Sequence, residues 1–189
     1  MSFVENKAAT FDRLVQTALD RGAYRAGVVE VDAIELDPIY RDMCAANTCG
    51  KYSTCWMCPP DVGDIHTLMA ELRTYDHALV YQTVGQLEDS FDIEGMAAAA
   101  QAHNRLTAAL KQAYKQEPFS RHLHLGAGGC HVCPVCARQE DKPCRFPDQA
   151  IPSLEAYGIQ VSQLAELAGM HYINGQNTVT YFGALFFNL

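Results

Sequence analysis

RHLHLGAGGCHVCPVC, residues 121–136, is the stretch from which the rest of the chain can be read. Histidine and leucine alternate over 122–125, the period-two pattern of a strand with two unlike faces. Gly126, Gly128 and Gly129 then allow a tight turn and close backbone approach, and that turn delivers Cys130, Cys133 and Cys136. Three thiols spaced x2-x2 on one short loop reach three corners of a cube, the opening of the bacterial ferredoxin run. Zinc sites more often draw on two separated C-x2-C pairs, because each tight turn offers two ligands to a tetrahedral ion. Cys144 closes the fourth corner from the next turn, and Pro134 and Pro143 stiffen the loop.

Working outward, the other four of the eight cysteines also fall together, in CAANTCGKYSTCWMCPP, residues 44–60. Cys44, Cys49, Cys55 and Cys58 are spaced C-x4-C-x5-C-x2-C, and no cysteine lies outside the two groups. Small buried hydrophobes would scatter, so this division speaks for two ligand sets. Trp56, the single tryptophan, is placed to shield a cluster from water or to lie half-buried at the surface. Pro59 and Pro60 keep the chain from re-entering helix directly after Cys58. The spacing leaves Cys55 open. With it, the first set is a closed four-thiolate site; without it, Cys44, Cys49 and Cys58 leave one iron free for substrate.

Composition narrows the function classes. The 189 residues carry 14 Lys and Arg against 22 Asp and Glu, a formal net charge of −8. Nucleic acid and anionic membrane surfaces are recognised by clustered cations, so neither is expected as a partner. The amino terminus lacks the basic start and apolar run of a signal peptide. The longest apolar stretch, TVTYFGALFFNL, is about half of what a bilayer span needs. A cytoplasmic chain is expected, in which thiols stay reduced and bind metal rather than pair as disulfides.

The fold expected is α/β or mixed α+β, one domain over 1–189, with a central sheet of about four to five strands flanked by helices. Apolar residues at helical spacing mark 5–20 as a helix, and the β-branched run 26–35 as a strand. A helix starts near Asp61 and Asp64 and reaches about Thr74. HALVYQTV, 77–84, suits a buried strand, and the Ala-rich 92–116 a long helix. PSLEAYGIQVSQLAELAG reads as two short helices broken at Gly158. HYINGQNTVTYFGALFF reads as a hairpin around Asn-Gly or two strands with a short loop. The two cysteine loops, 44–60 and 129–147, follow the first and third strands; if those strands ran parallel, both loops would emerge at one edge.

Other groups near the motifs carry two readings each. His122 and His124 share one strand face and either approach a cluster or substrate, or pack ordinarily. His131, inside the second motif, is able to hydrogen-bond cluster sulfur or shuttle protons. Arg138, Lys142 and Arg145 either offset a cluster's negative charge or decorate a solvated turn. The acidic run Glu88 to Glu94 marks a helix start or a surface for a basic redox partner. No serine-hydrolase elbow, phosphate-binding loop or C-x-x-C-H haem signature is present.

Taken together, C-x4-C-x2-Y-x3-W-x-C-P-P at 44–60 and G-C-x2-C-x2-C-A-x6-C-R-x-P-x2-A-x-P-S-x-E-A-x-G-I at 129–159 resemble a prokaryotic family of predicted metal-binding proteins. It is the domain of unknown function numbered two thousand two hundred and eighty-four. The resemblance implies a cysteine-ligated metal, iron–sulfur in kind, in largely anaerobic bacteria and archaea, and it brings no reaction with it. Tyr52, Trp56 and Cys58-Pro59-Pro60 match the family pattern well. The expectation is an iron–sulfur protein with two cysteine-ligated clusters of the 4Fe–4S type, acting in electron transfer with a redox partner protein. The alternatives are an enzyme using an open-site cluster as Lewis acid, and a structural double-zinc interaction module. Oligomeric state is not written in the sequence.

Overall fold

The computed structural model describes residues 3–189, with side chains from residue 7. Its centre is one four-stranded sheet in the order β1-β2-β4-β3, with every neighbouring pair antiparallel. The strands are β1 (Arg25–Glu30), β2 (His77–Gln86), β3 (Arg121–Leu125) and β4 (Thr178–Asn188). The helices are α1 (Phe3–Asp20), α2 (Ile39–Ala45), α3 (Ile65–Leu72), α4 (Ile93–Ala113) and α5 (Val161–Leu167). The architecture is mixed α+β.

Both faces of the sheet are covered, which is why its central strands read as continuous apolar runs rather than alternating ones. Leu79, Tyr81, Leu185 and Phe187 face α1 and α4, meeting Leu14, Leu106 and Leu110. Ala78, Val80, Ala184 and Phe186 face the other way, onto Leu72 of α3, Leu164 of α5 and the segment Leu154–Ile159. Complete burial of a leucine or phenylalanine here contributes about 1.5–3 kcal/mol each. Gly183 is bare because the ring of Tyr81 lies across it: a Cβ there would overlap the Tyr81 ring and hydroxyl.

Local signals in the sequence account for most boundaries. Asp64 caps α3 by accepting from the Thr67 amide, and Asp92 caps α4 by accepting from the Gly95 amide. Gly158, at φ +74°, separates a 3-10 turn (Glu155–Tyr157) from α5. Three expectations are corrected. HYINGQ is loop and only Thr178–Asn188 is strand, so there is no hairpin at Asn174-Gly175; β4 instead inserts between β2 and β3. The first cysteine segment begins in a helix, since Cys44 lies on α2. And the condition under which both cysteine loops would emerge at one edge is not met: β1 and β3 occupy opposite edges of the sheet and run in opposite directions.

Candidate metal centre

The two cysteine segments meet nonetheless, through a strut that the strand pattern does not reveal. Residues 152–159 touch the start of one segment and the approach to the other. The Gly126 amide donates to the Pro152 carbonyl at 2.9 Å, and the Leu154 amide to the Gly126 carbonyl at 3.0 Å, fixing the glycine turn before Cys130. A few residues on, Ile159 pairs with Leu36, and the Asp37 amide donates to the Gly158 carbonyl at 2.8 Å, just before α2 and Cys44. A Cβ on Gly158 would meet the Asp37 carbonyl oxygen at 3.0 Å, so this contact also depends on glycine. The run P-S-x-E-A-x-G-I in the second motif is thus a spacer between loops rather than a ligand set.

Where the loops touch, the approach is close. A Cβ on Gly129 would lie 3.1 Å from Cys58 Sγ and 3.0 Å from Lys51 Cγ. Trp56 Nε1 donates to the Lys142 carbonyl at 2.9 Å, and the Arg138 guanidinium lies 5.3 Å from the centre of the Trp56 ring. Arg138 Nε also stands 2.8 Å from Asp61 Oδ1. A tryptophan of the first segment and the aspartate that follows it are therefore held by an arginine and a carbonyl from the second. Within the first segment, the Tyr52 amide donates to Asn47 Oδ1 at 3.0 Å, closing the turn that carries Cys49.

This junction gathers the thiols unequally. Cys55, Cys130, Cys133, Cys136 and Cys144 line one small cavity, with Met57, Val132 and Phe146 forming apolar wall. Cys55 and Cys58 are the two buried members of the eight, and their thiols are hydrogen-bonded to each other. Cys55 Sγ also accepts from the amides of Met57 and Cys130 and interacts with Cys136. Cys130 Sγ accepts from the amides of Val132 and Ile151. Backbone amides aimed at sulfur stabilise thiolate and metal–thiolate charge. Cys44 and Cys49 do not line this cavity; Cys44 is half-buried, and Cys49 is exposed and acts electrostatically on both Cys44 and Cys58.

The acid–base balance reflects crowding. Cys55 is held below the ordinary thiol range, first by its bond with Cys58 and then by the amides. Cys58 is pushed upward by the same bond and by burial. Burial also raises Cys44 and Cys130, and neighbouring thiols add to both: Cys49 for the one, Cys55 and Cys144 for the other. Cys55 is thus the thiol most ready to ionise, while Cys44, Cys58 and Cys130 are held protonated by burial and by their neighbours, a situation that a thiophilic metal relieves. No disulfide joins any of the eight. Among the described residues, no group of three or more His, Cys, Asp or Glu side chains is placed to hold a metal ion as it stands.

The histidines and cations near the motifs fall elsewhere. His122 and His124 do share a face, but it is the face toward α1 and α4. His124 is buried, with Nε2 2.8 Å from the Tyr81 hydroxyl, which donates to Thr107 at 3.0 Å; His122 sits against Phe119. Neither lines the thiol cavity. The cations of the second motif already have carboxylate partners: Arg138 has Asp61 and Asp141, and Lys142 and Arg145 share Glu140. His131 is exposed and faces a separate cleft beside Cys130. Sequence reasoning missed the strut 152–159 and the α4 residues Arg105 and Lys111 lining that cleft. The signal for the strut was present as a Pro-Ser start and a glycine stop; isolated cations on a long helix give no such signal.

No helix among the described residues is long and apolar enough to cross a membrane. No curated protein and no solved structure matches the chain. The model of one family matches residues 27–187, a span that takes in all eight cysteines, the strut and the whole sheet apart from Arg25, Ala26 and Asn188 at strand ends. The chain belongs to the family of predicted metal-binding proteins designated DUF2284.

Proposed function

We propose that the protein binds two iron–sulfur clusters of the 4Fe–4S type and serves in electron transfer with a redox partner protein. Cys130, Cys133, Cys136 and Cys144 hold one cluster, and Cys44, Cys49, Cys55 and Cys58 the other. The observation that carries this reading is the junction itself: Cys55, from the first motif, lies in the cavity lined by all four cysteines of the second. Ligand sets that share a wall in this way suit a relay. An iron–sulfur cluster supplies one-electron chemistry at a potential set by charge, hydrogen bonds to sulfur and exposure. The chain's contribution is to fix those conditions. The amides of Met57, Cys130, Val132 and Ile151 point at sulfur, Val132 and Phe146 limit water, and the Trp56–Arg138 contact clamps the loops.

The placement of Cys55 favours a second reading, from the enzyme class. If Cys55 serves the second cavity, the first set is reduced to Cys44, Cys49 and Cys58, three thiolates with one corner left for a substrate oxygen or sulfur. Cys55→Ser separates the two. Under the relay reading it degrades the first cluster; under the open-corner reading the first cluster stays intact. Iron and acid-labile sulfide with the electron paramagnetic resonance spectrum, taken on anaerobically purified protein, read the result. Two zinc ions per chain and no sulfide would overturn both readings in favour of a structural module.

A further inference from the structure

A cleft of about 690 Å³ opens between α4 and the glycine turn 126–129, and neither motif accounts for it. Its size is in the range of small-molecule sites, about 300–1,000 Å³. It abuts the thiol cavity directly, since Cys130 and Val132 line both. We infer that this cleft binds a small organic oxyanion, a phosphate or carboxylate carried on an apolar body, with its charged head at the glycine turn.

Three independent features select that chemistry. The first is charge: in a chain of net charge −8, the lining includes Arg105 and Lys111 and not one carboxylate. Arg105 makes no ion pair among the described residues, whereas the arginines of the second motif all do. Lys111 reaches in with its ammonium 2.8 Å from the Ala150 carbonyl, which anchors it beside the cleft. The second is backbone. Gly128 stands at φ +66°, and a left-handed residue within a turn lets successive amides point the same way, the anion-binding concavity called a nest. The amides of Ala127, Gly128 and Gly129 donate to no protein acceptor among the described residues. The third is the apolar remainder: Ala108, Val132 and Ile151 line the same cleft and suit a hydrocarbon body. Gln101, Asn104 and Gln112 at its rim are neutral hydrogen-bonding groups, which orient a ligand without deciding its charge.

A ligand seated here has Cys130 as a wall, so the cleft is the natural place for a small molecule to meet the metal centre. The binding itself needs no metal, and its test is separate from that of the clusters. Phenyl phosphate, phenylacetate and benzyl alcohol serve as matched probes in isothermal titration calorimetry of the full chain. At least one of the two anions binds saturably and benzyl alcohol does not, and the tighter anion names the head group. Arg105→Gln weakens that binding about tenfold through loss of a charge-assisted hydrogen bond. Arg25→Gln, on the far edge strand, leaves it unchanged. If neither anion binds more tightly than the alcohol, or if Arg105→Gln has no more effect than Arg25→Gln, the assignment is wrong. Circular dichroism on each variant establishes that the fold is intact, and Lys111→Gln provides a second variant in case Arg105→Gln alters it.

Discussion

Acidification exposes how the α1–α4 side of the sheet is held. His103 of α4 and His124 of β3 are both buried beside Tyr81, and burial lowers His103 to about 4 and His124 to about 3, against an ordinary 6.5. The hydrogen bonds make this concrete for His124. The Tyr81 hydroxyl donates to Thr107, so it accepts from His124 Nε2–H, leaving Nδ1 bare and without a partner. Protonation would place an unpaired N–H and a charge in the core. Because the folded values lie below the unfolded one, the unfolded chain binds more protons in between. Stability is therefore full above about pH 6.5 and is lost as the pH falls through the unfolded value towards 4 and 3. From pH 7 to pH 5, each histidine accounts for about 2 kcal/mol, about 4 together. For a chain of this length that lowers the melting temperature by about 10 °C.

Urea unfolding at pH 7 and pH 5 measures the loss. His124→Gln keeps a donor for Tyr81 but cannot titrate, so the variant loses only about half as much as the parent. The difference between parent and variant cancels any acid effect on the thiol sites, which is common to both. Long-range proton–nitrogen spectra of the histidine rings give a second readout, with His124 remaining neutral at pH 5. A His124 midpoint near 6.5, or an identical acid loss in parent and variant, would refute the reasoning.

Other perturbations test other contacts. Gly183→Ala drives a methyl into the Tyr81 ring in a core that has no slack, and costs about 3 kcal/mol in urea unfolding; a loss below about 1 kcal/mol would mean that the ring is free to move. Gly129→Ala crowds Cys58 Sγ and the Lys51 stem, so a change in the second motif lowers metal retention by the first; unchanged retention by the first set would deny the contact. Cys130→Ser, Cys133→Ser and Cys136→Ser each strip the second cluster, read as iron content and visible absorbance; unchanged values in all three would contradict the ligand assignment.

Much of the secondary structure was legible because its signals are local. The period of 5–20, the caps at Asp64 and Asp92, the apolar run 77–84 and the break at Gly158 all act within a few residues. Strand order was not, because β4 inserts between β2 and β3 through contacts between segments far apart in sequence. Asn174-Gly175 resembles a hairpin turn, yet the residues before it have no strand to pair with once β4 takes the centre of the sheet. The two cysteine segments meet, but not for the reason that would have brought them to one edge. Parallel strands do not bring them together; the strut at 152–159 and the bare Gly129 do. The cysteines fall into two groups along the sequence. What spacing could not give is that Cys55, which shares a C-x2-C turn with Cys58, faces into the other set's cavity.

The central claim is that the eight thiols hold two iron–sulfur clusters. It is tested most directly by metal and acid-labile sulfide analysis of protein purified without oxygen, with its visible spectrum. About eight iron and eight sulfide per chain, with a broad brown absorbance that reduction bleaches, is the result predicted. About two zinc and no sulfide, from a colourless protein, would contradict it.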